Sequence, residues 1–342
     1  MRRLLYILLA LASIAACRKP GGGDEPAPAG DFVKGADISW VTEMEGKGYK
    51  FYNAAGQERE LTALMKEVGM NAVRLRVWVN PADGWNGKAD VVEKAKRAQA
   101  LGMKVMIDFH YSDSWADPGQ QTVPAAWKGK DADAMAAAVK AHTQEVLQAL
   151  KSAGVSVSWV QVGNETTNGM LWDSGKVSGS STGQFVKYFH AGREAVKAVY
   201  PDAQVILHLD NGWNYDTLDW FLALMKGAGL QYDMLGLSLY PSYWENGAYP
   251  DWKAKVQDFI YNLPTLYFKF SKPVMLVEFG MPASQPDKAG AALRYLMDNT
   301  KEHSYFQGIF YWEPEAEHAR NGYDYGAFSG GKPTAALEPF GY

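Results

Sequence analysis

The stretch "ELTALMKEVGMNAVRLRVWVN" (60–80) changes period at its middle. In its first half Leu61, Leu64, Met65 and Val68 recur at i, i+3, i+4 and i+7, the spacing that lines one face of a helix with apolar side chains. Gly69 follows, and a glycine just past the last periodic residue is a common helix end. The second half, "AVRLRVWV" (72–79), is short and β-branched, and reads as a strand. A helix feeding a strand is the unit from which parallel sheets are built.

The same alternation runs along the chain. Further strand candidates are "GADISW" (35–40), "KVMIDFHY" (104–111), "SWVQVGNE" (158–165), "QVILHLD" (204–210), "MLGLSLY" (234–240), "PVMLVEFG" (273–280) and "FQGIFYWEP" (306–314). Helical segments separate them, such as "VVEKAKRAQALGM" (91–103), which closes near Gly102. Eight strand–helix repeats between residues 31 and 342 predict a (β/α)8 barrel with long loops, a fold that needs roughly 250 residues. An open doubly wound sheet is the competitor. It is weakened because no glycine-rich phosphate fingerprint follows the first strand.

The first thirty residues read differently. Arg2 and Arg3 precede an apolar run, Leu4–Ala16, that is too short to span a bilayer comfortably. "SIAAC" then resembles a lipoprotein cleavage site, which makes residues 1–16 a signal peptide and Cys17 a lipidated residue. The expected location is a bacterial membrane-anchored lipoprotein at the cell surface or outer membrane, held by the lipid alone. Cys17 is the only cysteine, so no intramolecular disulfide can form. "RKPGGGDEPAPAG" (18–30) is rich in glycine, proline and charge, and predicts a flexible tether ahead of a catalytic domain at 31–342. A net charge of -4 argues against a nucleic-acid partner, and a monomer is expected.

In a barrel of this kind the site lies at the C-terminal ends of the strands. Those ends carry Asp37; Arg74 and Arg76; Asp108 and His110; Asn164 and Glu165; His208 and Asp210; Tyr240; Glu278; and Trp312. Glu165 ends the fourth strand and Glu278 the seventh, and these strands face each other across the mouth of a closed barrel. Two carboxyl groups flanking one bond are what glycoside hydrolysis requires. Asn164 can hydrogen-bond a sugar 2-hydroxyl. Arg74 can hold Glu278 ionised, and Tyr240 can donate to the same carboxylate. His110 and His208 can bind sugar hydroxyls or tune the acid. Plainer roles compete with these: Arg76 neutralising buried acids, Asp108 and His110 as a structural pair, His208 as a satisfied core histidine, and Trp40, Trp78, Trp159 and Trp220 as packing. A metal held by His110, His208 and Asp210 is disfavoured, because no ligand spacing of the H-E-x-x-H kind is present.

Taken together, "GADIS", "AVRLRVWVNPADG", "DFHYSDSWADPGQQ", "VQVGNE", "HLDNGW", "VEFG" and "FYWEP" resemble the endo-β-1,4-galactanases of glycoside hydrolase family 53, from about Phe32 to Pro314. The resemblance implies a retaining endo-hydrolase of β-1,4-galactan, as in pectin side chains. It makes Glu165 the acid/base and Glu278 the nucleophile. Arg74 and Asn164 support them, and Asp37, His110, His208, Tyr240 and Trp312 surround the sugar under attack. Trp85, Trp115, Trp172, Trp213 and Trp244 fall in the expected βα loops, and two or three of them are expected to touch substrate. No cofactor is implied. The loop after the seventh strand is short, which counts against the calcium that some bacterial relatives bind there. The rivals are a barrel endo-glycanase acting on mannan or glucan, and a surface glycan-binding lipoprotein that has lost catalysis.

Overall fold

In the computed structural model, which describes residues 31–341, eight parallel strands close into a barrel. The predicted signal, Cys17 and the tether lie outside the described residues. The first to eighth strands are Val33–Asp37, Ala72–Val77, Lys104–Phe109, Trp159–Val162, Gln204–Leu209, Met234–Leu239, Val274–Phe279 and Phe306–Trp312. Each pairs with the next in sequence, and the first closes on the eighth with Val33 opposite Gly308 and Asp37 opposite Trp312. Strands end one to three residues short of the apolar runs in the sequence, because the last residues of each run turn into the loops at the mouth.

The predicted helices form at Leu61–Val68 and Lys88–Ala100. The first is capped by the Glu60 carboxylate, which accepts from the Ala63 N–H, and ends at left-handed Gly69 (φ 109°). Of the periodic set read in the sequence, Leu61, Leu64 and Met65 are buried, with Thr62 beside them, and Val68 is partly buried against the core. Helices follow the third to seventh strands at Ala132–Ser152, Phe185–Val199, Tyr215–Gly227, Trp252–Phe270 and Pro286–Thr300. A 3-10 segment, Ala335–Gly341, closes the circuit after the eighth. Among the described residues no helix is long and apolar enough to cross a membrane.

The two-residue period of each strand sorts its side chains. Val73, Leu75 and Val77 pack outward with the helices, while Ala72, Arg74 and Arg76 point inward. The inner floor is apolar: Val33, Ala72, Met106, Trp159, Ile206, Met234, Met275, Val277 and Phe310. Gly35 makes room there, since a Cβ on it would sit 2.4 Å from the Phe310 ring. One layer higher the same inward positions carry Asp37, Arg74, Asp108, Gln161, His208 and Ser238, all buried.

Strict alternation from Met275 and Val277, which belong to the inner cluster, would turn Glu278 outward and Phe279 inward, yet Phe279 belongs to the outer cluster. The register between the sixth and seventh strands shifts here, pairing Leu237 with Leu276 but Ser238 with Glu278. This bulge puts Glu278 on the inner side directly after Val277, a use of bulges frequent near active sites.

Candidate active site

Arg74, fully buried, organises the polar layer. Its Nη1 donates to Asp37 Oδ2 (2.6 Å) and its Nε to Gln161 Oε1 (2.6 Å). Its Nη2 lies 2.9 Å from Asp108 Oδ2, Asn164 Oδ1 and Glu278 Oε1. Tyr240 donates its hydroxyl to the other Glu278 oxygen, Oε2, at 2.8 Å.

Asn164 and Glu165 are held by the loop after the third strand. Asn164 Nδ2 donates to Ala116 O (2.8 Å), Gln121 Nε2 to Asn164 O (2.9 Å), and Asn168 Nδ2 to Pro118 O (2.9 Å). The segment "DFHYSDSWADPGQQ" is therefore the clamp that fixes the end of the fourth strand. With Oδ1 on Arg74, the orientation of the Asn164 amide is set. Glu165 itself sits at φ 44°, a left-handed backbone unusual for a non-glycine residue, and its side chain keeps part of its surface open to the cleft.

The two histidines are spoken for. The Glu165 N–H (3.2 Å) and Gln161 Nε2 (2.8 Å) both point at His208 Nδ1. Asn164 Oδ1 also lies 3.0 Å from Nδ1 but accepts from Arg74, so the two N–H donors make that nitrogen the acceptor, and Nε2–H donates to Ser238 Oγ (2.8 Å). Burial, then the Arg74 charge, holds His208 well below its ordinary pKa, so it is neutral. His110 donates Nε2–H to Asp108 (3.0 Å) and accepts the Ala116 N–H at Nδ1 (3.0 Å). Neither ring nitrogen of either residue is left for a sugar hydroxyl. Both histidines orient the residues around them.

Electrostatics separate the two glutamates. Burial raises both. Glu165 is pushed well above the usual carboxylate range by burial, then by the negative charges of Glu278 and Asp210, with the Ser238 hydroxyl opposing. Glu278 reaches only about 7, because Arg74 and the Tyr240 hydroxyl pull it down against burial, Asp108 and Asp37. Arg74 thus favours the ionised form of Glu278, but its one charge is shared among three carboxylates and does not by itself keep Glu278 in the ordinary range. Two carboxyl groups on one cleft with unequal proton affinity can divide proton donation from nucleophilic attack.

Glu165 and Glu278 line a cavity of about 410 Å³ together with His110, Trp115, Asn164, Tyr240 and Trp312. Asp37, Arg74 and His208 are fully buried beneath it. Asp37 is consumed by Arg74 and by the Ser39 N–H and hydroxyl. Trp85, Trp213 and Trp244 lie outside this cavity. Trp172 borders a second depression of about 610 Å³ behind Gln120 and Gln121, its ring covered by Lys176 at 4.4 Å. Arg76 donates to Glu313 (2.7 Å) and sits among Trp40, Trp78, Trp115 and Trp312, closest to Trp115 at 4.2 Å. It neutralises a buried acid and stiffens two rings that face the cavity. Sequence reading passed over Gln161, Ser238, Tyr243, Tyr323 and Tyr325. Gln161 and Ser238 could have been found from inward parity on their strands, while the tyrosines lie in loops with no periodic signal. Among the described residues no group of three or more His, Cys, Asp or Glu could hold a metal ion.

Comparison with known proteins places this geometry. An arabinogalactan endo-beta-1,4-galactanase of Humicola insolens is 33% identical over 311 residues, covering 84% of this chain and 91% of its own. One from Thermothelomyces thermophilus is 31% identical over 316 residues, with the same coverage. Among solved structures, a fungal beta-1,4-galactanase superposes with a TM-score of 0.80 at 31% identity, covering 90% of this chain and 98% of its own. The GH53 catalytic domain of Ignisphaera aggregans gives 0.79 at 27%, covering 91% and 95%. The glycosyl hydrolase family 53 model matches residues 33–336, nearly the whole barrel, and on that match the chain belongs to glycosyl hydrolase family 53.

Proposed function

We propose that this protein is an endo-β-1,4-galactanase that cuts galactan or arabinogalactan internally, with retention, using Glu278 as nucleophile and Glu165 as acid/base. The observation that carries the division of labour is the placement of Arg74 and Tyr240 on Glu278, against burial and two neighbouring negative charges at Glu165. In the first step an ionised Glu278 oxygen bonds to the anomeric carbon. The bond from that carbon to the leaving oxygen breaks, and Glu165 gives that oxygen its proton. In the second, Glu165 takes a proton from water, whose oxygen displaces Glu278 and restores the original anomer. Asn164, its amide oriented by Arg74 and Ala116, presents its remaining N–H to the sugar 2-hydroxyl. Galactan as substrate is supported by the relatives named for that activity, and mannan or glucan has no comparable support.

The chemistry needs no cofactor, and all its groups come from one chain, so a monomer suffices. The "SIAAC" signal supports lipid attachment at Cys17, and hence a membrane-anchored enzyme whose barrel follows the glycine- and proline-rich segment. The test is Glu165→Gln assayed on linear galactan and on an aryl β-galactoside with an acidic phenol as leaving group. Polymer cleavage should fall by roughly 10³-fold or more, while the first-turnover burst of phenol, which needs no proton, is far less affected; steady-state release slows after the burst, because the same residue activates the water of the second step. Full activity on polymer sinks the assignment. Proton NMR of early product should show the β-anomer, and greater release of reducing ends from mannan or carboxymethylcellulose than from galactan would refute the substrate.

A further inference from the structure

Beyond the catalytic pair, the cleft is walled by rings that neither the clamp nor the acid chemistry uses. The loop after the seventh strand is only residues 280–285 before the helix at Pro286. Over it the longer loops after the sixth and eighth strands meet, where the Trp244 N–H donates to the Tyr325 hydroxyl (2.9 Å) and the Ala283 N–H to Asp324 O (2.8 Å). Their rings form a run. Trp312 to Tyr323 is 4.8 Å, Tyr323 to Tyr325 is 5.8 Å, and Tyr325 to Tyr243 is 5.1 Å with only 4° between the planes. Tyr243 also meets Tyr240 edge-on at 6.3 Å, the residue that bonds Glu278. Tyr325 is buried, whereas Tyr243 is 57% exposed. Tyr243 and Tyr325 both line the cavity that holds Glu165 and Glu278.

A ring this exposed, stacked flat on a buried one, has one face filled and one face open. Burying that open face against an apolar surface is favourable, and little side-chain freedom is lost because Tyr325 already fixes the ring. A galactose ring, with an apolar face and a rim of hydroxyls, fits such a surface. The neighbouring Trp244 is exposed too, but its ring meets Tyr249 edge-on at 4.7 Å and does not line the cavity.

We propose that Tyr243, backed by Tyr325, is an outlying subsite that takes the apolar face of a galactosyl unit other than the one under attack, so that the enzyme favours longer chains. The proposal rests on the galactan reading above. Because Tyr243 is exposed and its backing partner is kept, Tyr243→Ala should fold normally, with an unchanged melting temperature. Measured on β-1,4-galacto-oligosaccharides from two to six units, the variant should match wild type on the shortest chain cut. The deficit in kcat/KM should grow with length to roughly tenfold, the usual scale for truncating an anchoring ring. Tyr243→Phe should retain most of the preference, and the Ala variant should shift the products of galactan hydrolysis. A deficit equal at every length, or none at any length, overturns the subsite while leaving the galactanase reading intact. Wild-type protein that cuts none of these chains overturns both.

Discussion

Replacing Tyr240 by phenylalanine isolates one hydrogen bond on Glu278, the proposed nucleophile. The Tyr240 hydroxyl donates to Glu278 Oε2 at 2.8 Å while Arg74 holds Oε1 at 2.9 Å. Burial and the Glu278 charge raise Tyr240 well above the ordinary tyrosine range, so it stays a donor throughout the working pH. A hydrogen bond to an ionised group contributes about 1.5 kcal/mol or more, and 1.36 kcal/mol is one pKa unit. Loss of the bond disfavours only the ionised form of Glu278, so its pKa should rise from about 7 by about one further unit. Below that midpoint the active fraction is proportional to ionised Glu278. The acid limb of kcat/KM on galactan should therefore move up by about one unit, with about a tenfold loss on that limb and convergence with wild type at higher pH. Arg74 and the barrel are untouched, so the fold should persist. An equal loss at every pH, with the acid limb in place, would refute the claim that Tyr240 acts by holding the charge.

Two further outcomes follow from the packing. A Cβ at Gly280 would lie 2.6 Å from Tyr240 Cε1, so Gly280→Ala should displace that ring, reproduce the upward shift of the acid limb, and cost about 1–3 kcal/mol of stability in thermal unfolding; an unshifted limb would show that the ring adapts. His142 is enclosed by Phe109, Tyr111 and Trp127, and burial lowers its pKa from 6.5 to about 4, so the folded chain keeps it neutral while the unfolded chain protonates it. Stability from this site is complete above pH 6.5 and is lost as pH falls towards 4, by about 2 kcal/mol at pH 5. The fall in melting temperature from pH 7 to pH 5 should be smaller in His142→Phe, and an equal fall would contradict the assignment.

The sequence by itself determined the barrel and pointed to the chemistry proposed at its mouth. Hydrophobic period is a local property, so the switch from Leu61–Leu64–Met65 to "AVRLRV" was legible without any long-range contact, and its repetition leaves few ways to bury every strand. The polar strand ends and the facing pair Glu165 and Glu278 followed from that topology. Four things were decided only by tertiary structure. The bulge opposite Ser238 aims Glu278 inward, and register is a relation between strands that neither strand encodes alone. The proton preference of each glutamate depends on charges far apart in the chain, such as Arg74 on Glu278, and on burial, which is set by the whole fold. The sequence left His110 and His208 open between binding sugar, tuning the acid and structural pairing, and only the fold shows Ala116, Asp108, Gln161 and Ser238 at their nitrogens, a pairing no spacing rule contains. Loop tryptophans fared similarly. Trp115 reaches the cavity while Trp85, Trp213 and Trp244 stay outside it, because a loop residue's direction is fixed by what the loop packs against.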